Sequence, residues 1–221
     1  MKRRSLLVAG LAAGAGTAQA ALSETDAASG IRTALERGAE AAVKNLGRSD
    51  GFLGNAQVRI PLPGYLEDGA KLMRKLGQGK RVDELVTAMN RAAEAAVPEA
   101  RTLLVNTVKQ ISVEDALRLV KGGDTAVTDF FARKTRTPLG EKFLPIVTRA
   151  TEKVDLAGKY NKVAGKGVGL GLVKAEDANV QQYVTRKALD GLYLMIGEEE
   201  KKIRADPVGT GSAILKKVFG F

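Results

Sequence analysis

The chain has 221 residues and a formal net charge of +10, and it contains no His, Cys or Trp. A Ser-His-Asp triad, a thiol nucleophile, a zinc site with His or Cys ligands and a disulfide framework are therefore excluded. Any catalysis would depend on acidic, basic or hydroxyl side chains, and any metal ion would need oxygen ligands. No motif indicates a metal site or a cofactor, and we expect neither.

The start of the chain has the three parts of a secretory signal peptide. Three basic residues, KRR at 2–4, precede an apolar run at 6–15 and a small-residue cleavage site, AQA at 18–20. The apolar run is shorter than the roughly twenty residues of a membrane-spanning helix, so cleavage is favoured over an anchor. We expect 1–20 to be removed and the mature chain to be exported, to the periplasm if the source is Gram-negative. The paired arginines leave ordinary and twin-arginine secretion both open.

The mature chain, 21–221, remains basic after this removal. A moderate positive charge attracts anionic surfaces. Outside the cytoplasm such surfaces are lipid headgroups or glycans, and an envelope protein is a further candidate partner. A merely solvated basic surface is the alternative. With only 5% aromatic residues, nucleic acid is not expected as a partner. No transmembrane segment is predicted in the mature chain.

Apolar residues recur with helical spacing along nearly the whole mature chain. This spacing, together with capping boxes, glycines and prolines, predicts a single all-α domain of about eight or nine helices. The predicted helices span 23–46, 65–76, 82–97 with a continuation to 110 after a bend at Pro98, 112–121, 125–136, 138–154, 156–164, 178–205 and 213–219.

The stretch 47–64, GRSDGFLGNAQVRIPLPG, is too rich in Gly and Pro to be helical throughout. The residues before Pro61 and Pro63 are held out of the α region. Apolar residues such as Phe52 and Ile60 indicate that the loop is attached to the core. We interpret it as a clamp across helix ends, with a binding loop as the alternative.

Two later stretches predict breaks between helices. At Thr137-Pro138, an N-cap residue is followed by proline at the first helical position. The glycine-rich stretch 165–171, GKGVGLG, resembles a phosphate loop, but no buried strand precedes it and the Lys-Ser/Thr ending is missing. We therefore predict a flexible linker there.

The helix at 178–205 is predicted to lie at the centre of the bundle. One broad arc of it is apolar, and its middle carries apolar residues on the other sides too, a pattern typical of a buried helix. The helix at 213–219 is amphipathic instead. It would either lie on a membrane surface or pack back onto the core.

Five segments occur in order along the mature chain: DGFLGNAQVRIPLP, ELVTAMNRAAEAAVPEA, GGDTAVTDFF, KFLPIV and YVTRKALDGLYLMIGEEEKKIRADPVGTGSAILKKVFG. Together they resemble the bacterial family known as domain of unknown function 4197, over essentially all of 21–221. The resemblance implies an exported, helical, single-domain protein. It implies no activity, substrate or cofactor.

Without a catalytic motif, the candidate site consists of polar residues that the helical pattern directs toward the core. Six such residues fall on the helices at 82–97 and 178–205, namely Asn90, Arg91, Glu94, Arg186, Asp190 and Glu199. A buried carboxylate must be paired or neutralised. We hypothesise that the six meet in one polar cluster between the two helices. The cluster would either fix the helix register or hold a small anionic or amphiphilic ligand through Arg91 or Arg186.

These features favour a non-catalytic exported envelope protein that binds a ligand or acts as an interaction scaffold. Many Ala residues and few aromatic ones favour tight helix packing over a roomy cavity. The alternative is a glycan-acting, muramidase-like enzyme in which Glu94 or Glu199 serves as the general acid. No motif of such enzymes surrounds either residue.

Overall fold

The chain folds as a helical bundle, seen in a computed structural model that describes residues 24–171, 173 and 179–206. Its helices are α1 (Glu24–Gly47), α2 (Gly64–Lys75), α3 (Gly79–Ala96), α4 (Ala100–Lys109), α5 (Val113–Lys121), α6 (Ala126–Thr151), α7 (Asp155–Gly169) and α8 (Val180–Ala205). No strand occurs within these described ranges, and the predicted all-α class is confirmed. The predicted signal peptide and the predicted helix at 213–219 lie outside the described residues.

Three predicted boundaries are confirmed, and each has a local physical cause. α1 ends at Gly47. The bend at Pro98 is a short 3-10 turn, Val97–Glu99, which joins α3 to α4. Ser112 caps α5, because its hydroxyl accepts a hydrogen bond of 3.0 Å from the Asp115 N–H.

α8 is the central helix, as its apolar pattern predicts. It packs most extensively on α6 and also contacts α1, α3 and α7. Val184, Ala188 and Leu192 are fully buried on it. Asn179 caps its first turn by accepting a hydrogen bond from the Gln182 N–H. Since neighbouring helices surround α8 on several sides, its apolar residues are buried over a wide arc of the helix.

The predicted break at Thr137-Pro138 is wrong, because α6 continues through both Pro138 and Pro145. A proline inside a helix removes a backbone hydrogen bond and usually bends the helix. Here Phe131, Leu139 and Phe143 are fully buried on both sides of Pro138. Their packing against α3, α4 and α8 holds the helix together, and tertiary packing outweighs the local preference.

The predicted flexible linker at 165–171 is also wrong over most of its length, because α7 extends to Gly169. Each glycine inside a helix costs about 1 kcal/mol relative to alanine. Tyr160 and Ala164 are buried on the preceding turns and anchor α7 on the core. The helix therefore continues into a stretch that its composition disfavours.

The loop between α1 and α2 lies in the core, as its apolar residues predict. Phe52, Val58 and Ile60 are all buried. The Phe52 ring lies against α8 at Gly191, where an added Cβ would be 2.7 Å from Phe52 Cε1 and 3.3 Å from Val58 Cβ. Glycine at position 191 therefore lets the loop reach the backbone of the central helix.

We predict that Gly191→Ala lowers the free energy of unfolding by about 1–3 kcal/mol, because the new methyl group must displace a fully buried ring. Urea unfolding followed by circular dichroism measures this change. Gly158→Ala on α7 is the control, since a Cβ there meets nothing within 4 Å. The control should be neutral or stabilising by up to about 1 kcal/mol. Equal effects of the two substitutions would contradict the proposed contact.

Candidate functional site

Asn90 is fully buried on α3 and pairs with the backbone of the loop at Ile60. Its Oδ1 accepts a hydrogen bond of 2.8 Å from the Ile60 N–H, and its Nδ2 donates one of 2.9 Å to the Ile60 carbonyl. Nδ2 also donates to the Val86 carbonyl at 2.8 Å. Buried backbone groups need partners. Ile60 lies in a loop with no neighbouring strand, so the Asn90 side-chain amide supplies partners for both its N–H and its carbonyl.

Glu94, one turn further along α3, binds backbone N–H groups at the other end of the loop. Its side chain is only 6% exposed, and its Oε1 accepts hydrogen bonds of 3.0 Å from the N–H groups of both Phe52 and Leu53. Its Oε2 accepts one of 2.6 Å from Arg91 Nη1. Both carboxylate oxygens are therefore occupied by donors of the protein itself.

Arg91 joins this carboxylate to the exposed part of the loop. Its Nη2 lies 2.8 Å from Asp50 Oδ1, and its Nη1 donates to the Ser49 hydroxyl at 3.0 Å. The hydrogen bond to Glu94 is the largest cause of a raised pKa of the Arg91 guanidinium. Asp50 has a positive φ of 63°, a conformation that Asp tolerates better than most residues. Arg91 thus fixes the turn from which Phe52 enters the core.

Arg186 and Asp190 belong to a second network, between α8 and α6. Asp190 Oδ1 accepts a hydrogen bond of 2.9 Å from Arg136 Nη1, and its Oδ2 lies 3.6 Å from Arg186 Nη1. The Arg136 guanidinium also lies 4.9 Å from the centre of the Tyr193 ring. Burial raises the pKa of Tyr193, opposed by its hydrogen bond with Thr135 and by the charge of Arg136. This network cross-links the two helices that make the most extensive contact.

Glu199 is partly buried, as the sequence predicts, but it is not the most buried carboxylate of α8. Its side chain is 15% exposed and pairs with Lys202 at 2.7 Å. The next residue, Glu200, is buried, at 3% exposure. The helical wheel did not identify Glu200 in addition, because packing against α6 widens the buried arc of α8. The sequence did contain a signal for the burial of Glu200. Arg204 lies four residues later, a spacing at which oppositely charged side chains form ion pairs on a helix.

Glu200 binds the first turn of α6. Its Oε1 accepts a hydrogen bond from the Val127 N–H at 3.1 Å, and its Oε2 accepts from the N–H and hydroxyl of Thr128 at 3.0 and 2.9 Å. Arg204 pairs with Glu200 at 2.8 Å and donates to the carbonyls of Leu119 and Val120 at the end of α5. The N–H groups that begin a helix and the carbonyls that end one have no partners within the helix. This ion pair supplies partners to both.

The six predicted residues therefore divide among three networks instead of forming one cluster. Asn90, Arg91 and Glu94 bind the loop, Arg186 and Asp190 join α8 to α6, and Glu199 lies with Lys202. The pattern identified polar groups that face the protein. It did not reveal that Asn90 and Glu94 bind backbone groups of the loop.

An apolar groove of about 280 Å³ lies between α2, α3 and α7, where the sequence predicted tight packing. Its walls include Leu62, Leu66, Met73, Leu85, Leu156 and Tyr160. Among the described residues that line it, Lys159 alone is charged, and it pairs with Asp155 at 3.0 Å. None of the six predicted residues lines this groove.

In the described part of the chain, no group of three or more acidic side chains is placed to hold a metal ion. None of the helices in that part combines the length and the apolar character that crossing a membrane requires.

These observations define an all-α bundle in which buried polar side chains bind the ends of helices and a buried loop. Comparison with known proteins gives the family. Residues 21–220 match the family described as "Protein of unknown function (DUF4197)", and the chain belongs to it. No curated protein and no solved structure matches the chain significantly.

We predict that Glu94→Ala lowers the free energy of unfolding by at least about 2 kcal/mol, since each buried donor left unsatisfied costs about 1–3 kcal/mol. Glu94→Gln should cost less, because it keeps an oxygen for the Phe52 and Leu53 N–H groups. Urea unfolding measures both changes. Glu84→Ala, at an exposed position of the same helix, is the control, expected within about 0.5 kcal/mol of wild type. A Glu94→Ala variant as stable as this control would refute the structural role of the carboxylate.

Proposed function

We propose that this protein is an exported, non-catalytic binding protein for an amphiphile with one apolar chain and an anionic head. A fatty acid and a lysophospholipid share this chemistry. The observation that supports the proposal is the apolar groove between α2, α3 and α7.

The groove suits a hydrocarbon chain in its size and in its lining. Its volume of about 280 Å³ is close to the lower end of the range for small-molecule pockets, about 300 Å³. Leu66 and Met73 from α2 face Leu85 of α3 and Leu156 of α7 across it. Each methylene group that leaves water for such a surface contributes about 0.8 kcal/mol. A chain of several methylenes would therefore gain most of its affinity here.

Lys159 favours an acidic head group at the edge of the groove. The Lys159 side chain is 56% exposed, and that of its partner Asp155 is 75% exposed. An exposed ion pair contributes little stability, about 0–1 kcal/mol. An anionic head group can therefore replace Asp155 as the partner of the Lys159 ammonium at small cost.

The buried carboxylates support a role in binding over one in catalysis. A general acid must place its proton within hydrogen-bond reach of the substrate. Both oxygens of Glu94 accept hydrogen bonds from loop N–H groups or from Arg91. Both oxygens of Glu200 likewise accept from α6. The muramidase-like alternative has no observation in its favour within the described residues.

Export is part of the proposal and is supported by the sequence. The segment 1–20 has the charged start, apolar run and cleavage site of a signal peptide. The family match begins at residue 21, directly after the predicted cleavage site. An exported protein of this kind would meet amphiphiles released from the cell envelope.

Binding of cis-parinaric acid, a fatty acid that fluoresces when it enters an apolar site, tests the proposal on residues 21–221. Gly69 lines the groove, and a Cβ there meets nothing within 4 Å. Gly69→Phe should therefore fill the groove without disturbing α2. The matched control is Gly158→Phe, which adds the same side chain to open space on α7.

We expect saturable binding by the wild type and by the control. Gly69→Phe should weaken binding about tenfold or more, since excluding two methylenes costs about 1.6 kcal/mol. Competition by palmitate and by lysophosphatidylglycerol distinguishes a fatty acid from a lysophospholipid as the ligand. Absence of binding by the wild type, or equal binding by both variants, would overturn the proposal.

A further inference from the structure

Two large apolar side chains near the end of α2 are exposed to solvent. Leu72 is 57% exposed and Leu76, which caps the helix, is 70% exposed. Residues four apart lie on the same face of a helix, so the two leucines are neighbours. Neither leucine belongs to the hydrophobic core of the described structure, whereas Leu66 and Ala70 of the same helix pack inward.

Basic residues surround this pair of leucines. The segment 71–81, KLMRKLGQGKR, contains five Lys or Arg residues and no Asp or Glu, and we call it the α2–α3 tip. Lys71 and Arg74 pair with Asp68 and Asp83, which are 95% and 68% exposed. Exposed pairs of this kind are weak.

The three other cations of the α2–α3 tip are Lys75, Lys80 and Arg81. All three are exposed, and none makes an ion pair with an acidic residue of the described chain. Arg81 donates instead to the Gln78 side chain. Together with the hydrogen bond from Lys159, which is the larger cause, the charge of Arg81 also lowers the pKa of Asp155. The α2–α3 tip therefore combines a protruding apolar pair with an excess of positive charge.

We infer that the α2–α3 tip docks the protein on an anionic lipid surface. Leu72 and Leu76 would enter the boundary between headgroups and acyl chains, while the Lys and Arg side chains bind the phosphates above it. Apolar insertion and electrostatic attraction add in this mode of binding. The inference goes beyond the proposed function and does not depend on a ligand in the groove.

The size of the apolar pair favours a lipid surface over a protein partner. A stable protein interface buries about 800 Å² on each side and requires complementary shape. Two adjacent leucines offer only a fraction of that area. A lipid surface adapts to any protruding side chain, and its charge complements that of the tip. In the sequence, the candidate for a membrane surface was the helix at 213–219, for which packing back onto the core was favoured and which lies outside the described residues.

Co-sedimentation of residues 21–221 with sucrose-loaded vesicles tests the inference. One set of vesicles contains phosphatidylglycerol and phosphatidylcholine, and the other contains phosphatidylcholine alone. We expect binding to the anionic vesicles only, with an affinity that falls as the salt concentration rises.

The apolar contribution is tested by Leu72→Gln/Leu76→Gln, which should weaken binding on the order of tenfold. Leu144→Gln/Leu170→Gln is the matched control, because these leucines are also exposed but lie on α6 and after α7. The control should bind as the wild type does. Thermal unfolding checks that both variants remain folded.

The charge contribution is tested by Lys75→Gln/Lys80→Gln/Arg81→Gln. Each cation near an anionic surface contributes about 1 kcal/mol, so the loss should approach a hundredfold at low salt. The matched control, Lys109→Gln/Lys142→Gln/Arg149→Gln, removes the same charge from exposed positions on α4 and α6. It should change binding much less.

Three results would overturn the inference. The first is no sedimentation of the wild type with anionic vesicles. The second is equal loss in the tip variants and their controls, which would indicate nonspecific attraction or another surface. The third is a dimer that Leu72→Gln/Leu76→Gln converts to a monomer without any effect on vesicle binding, which would assign the leucines to a second copy of the chain.

Discussion

A loop buried in a helical protein has no strand or helix to bind its backbone, and this constraint governs the structure. Phe52 and Ile60 take the loop between α1 and α2 into the core, where unpaired N–H and carbonyl groups are costly. Asn90 and Glu94 of α3 supply the missing partners, while glycine at position 191 of α8 makes room for the Phe52 ring. The apolar packing of Phe52 on α8 and the loop's hydrogen bonds with Asn90 and Glu94 therefore depend on each other, because both need the loop to lie in the core.

The same solution recurs near the C-terminal end of α8. Glu200 accepts from the N–H groups that begin α6, and Arg204 donates to the carbonyls that end α5. One ion pair on the central helix thereby fixes where two other helices start and stop. Breaking a buried ion pair costs far more than the pair contributes to stability, so such groups act chiefly by excluding other arrangements. In the described part of this bundle, the buried carboxylates Glu94 and Glu200 are partners of the backbone, while the groove and the α2–α3 tip are open to other molecules.

Much of the fold could be predicted from the sequence, because apolar spacing and capping residues act locally. The ends of α1 and α5 and the burial of α8 follow from such signals. Tertiary packing decided the rest. Phe131 and Leu139 hold α6 together through Pro138, and the wide buried arc of α8 takes in Glu200 as well as the partly buried Glu199 that a simple wheel indicated. The groove was not predictable, since it is formed by residues of α2, α3 and α7 that lie far apart in the sequence.

The central claim is that α3 side chains bind the backbone of the buried loop, and amide hydrogen exchange of the wild-type protein, followed by NMR, tests it most directly. The N–H groups of Phe52, Leu53 and Ile60 should exchange as slowly as those in the middle of α8, because a side chain binds each of them. Gln57 is an exposed residue of the same loop whose N–H donates to the Asn55 side chain, and this N–H should exchange much faster. If all four exchanged at the same fast rate, the loop would not be held in this way and the account would be contradicted.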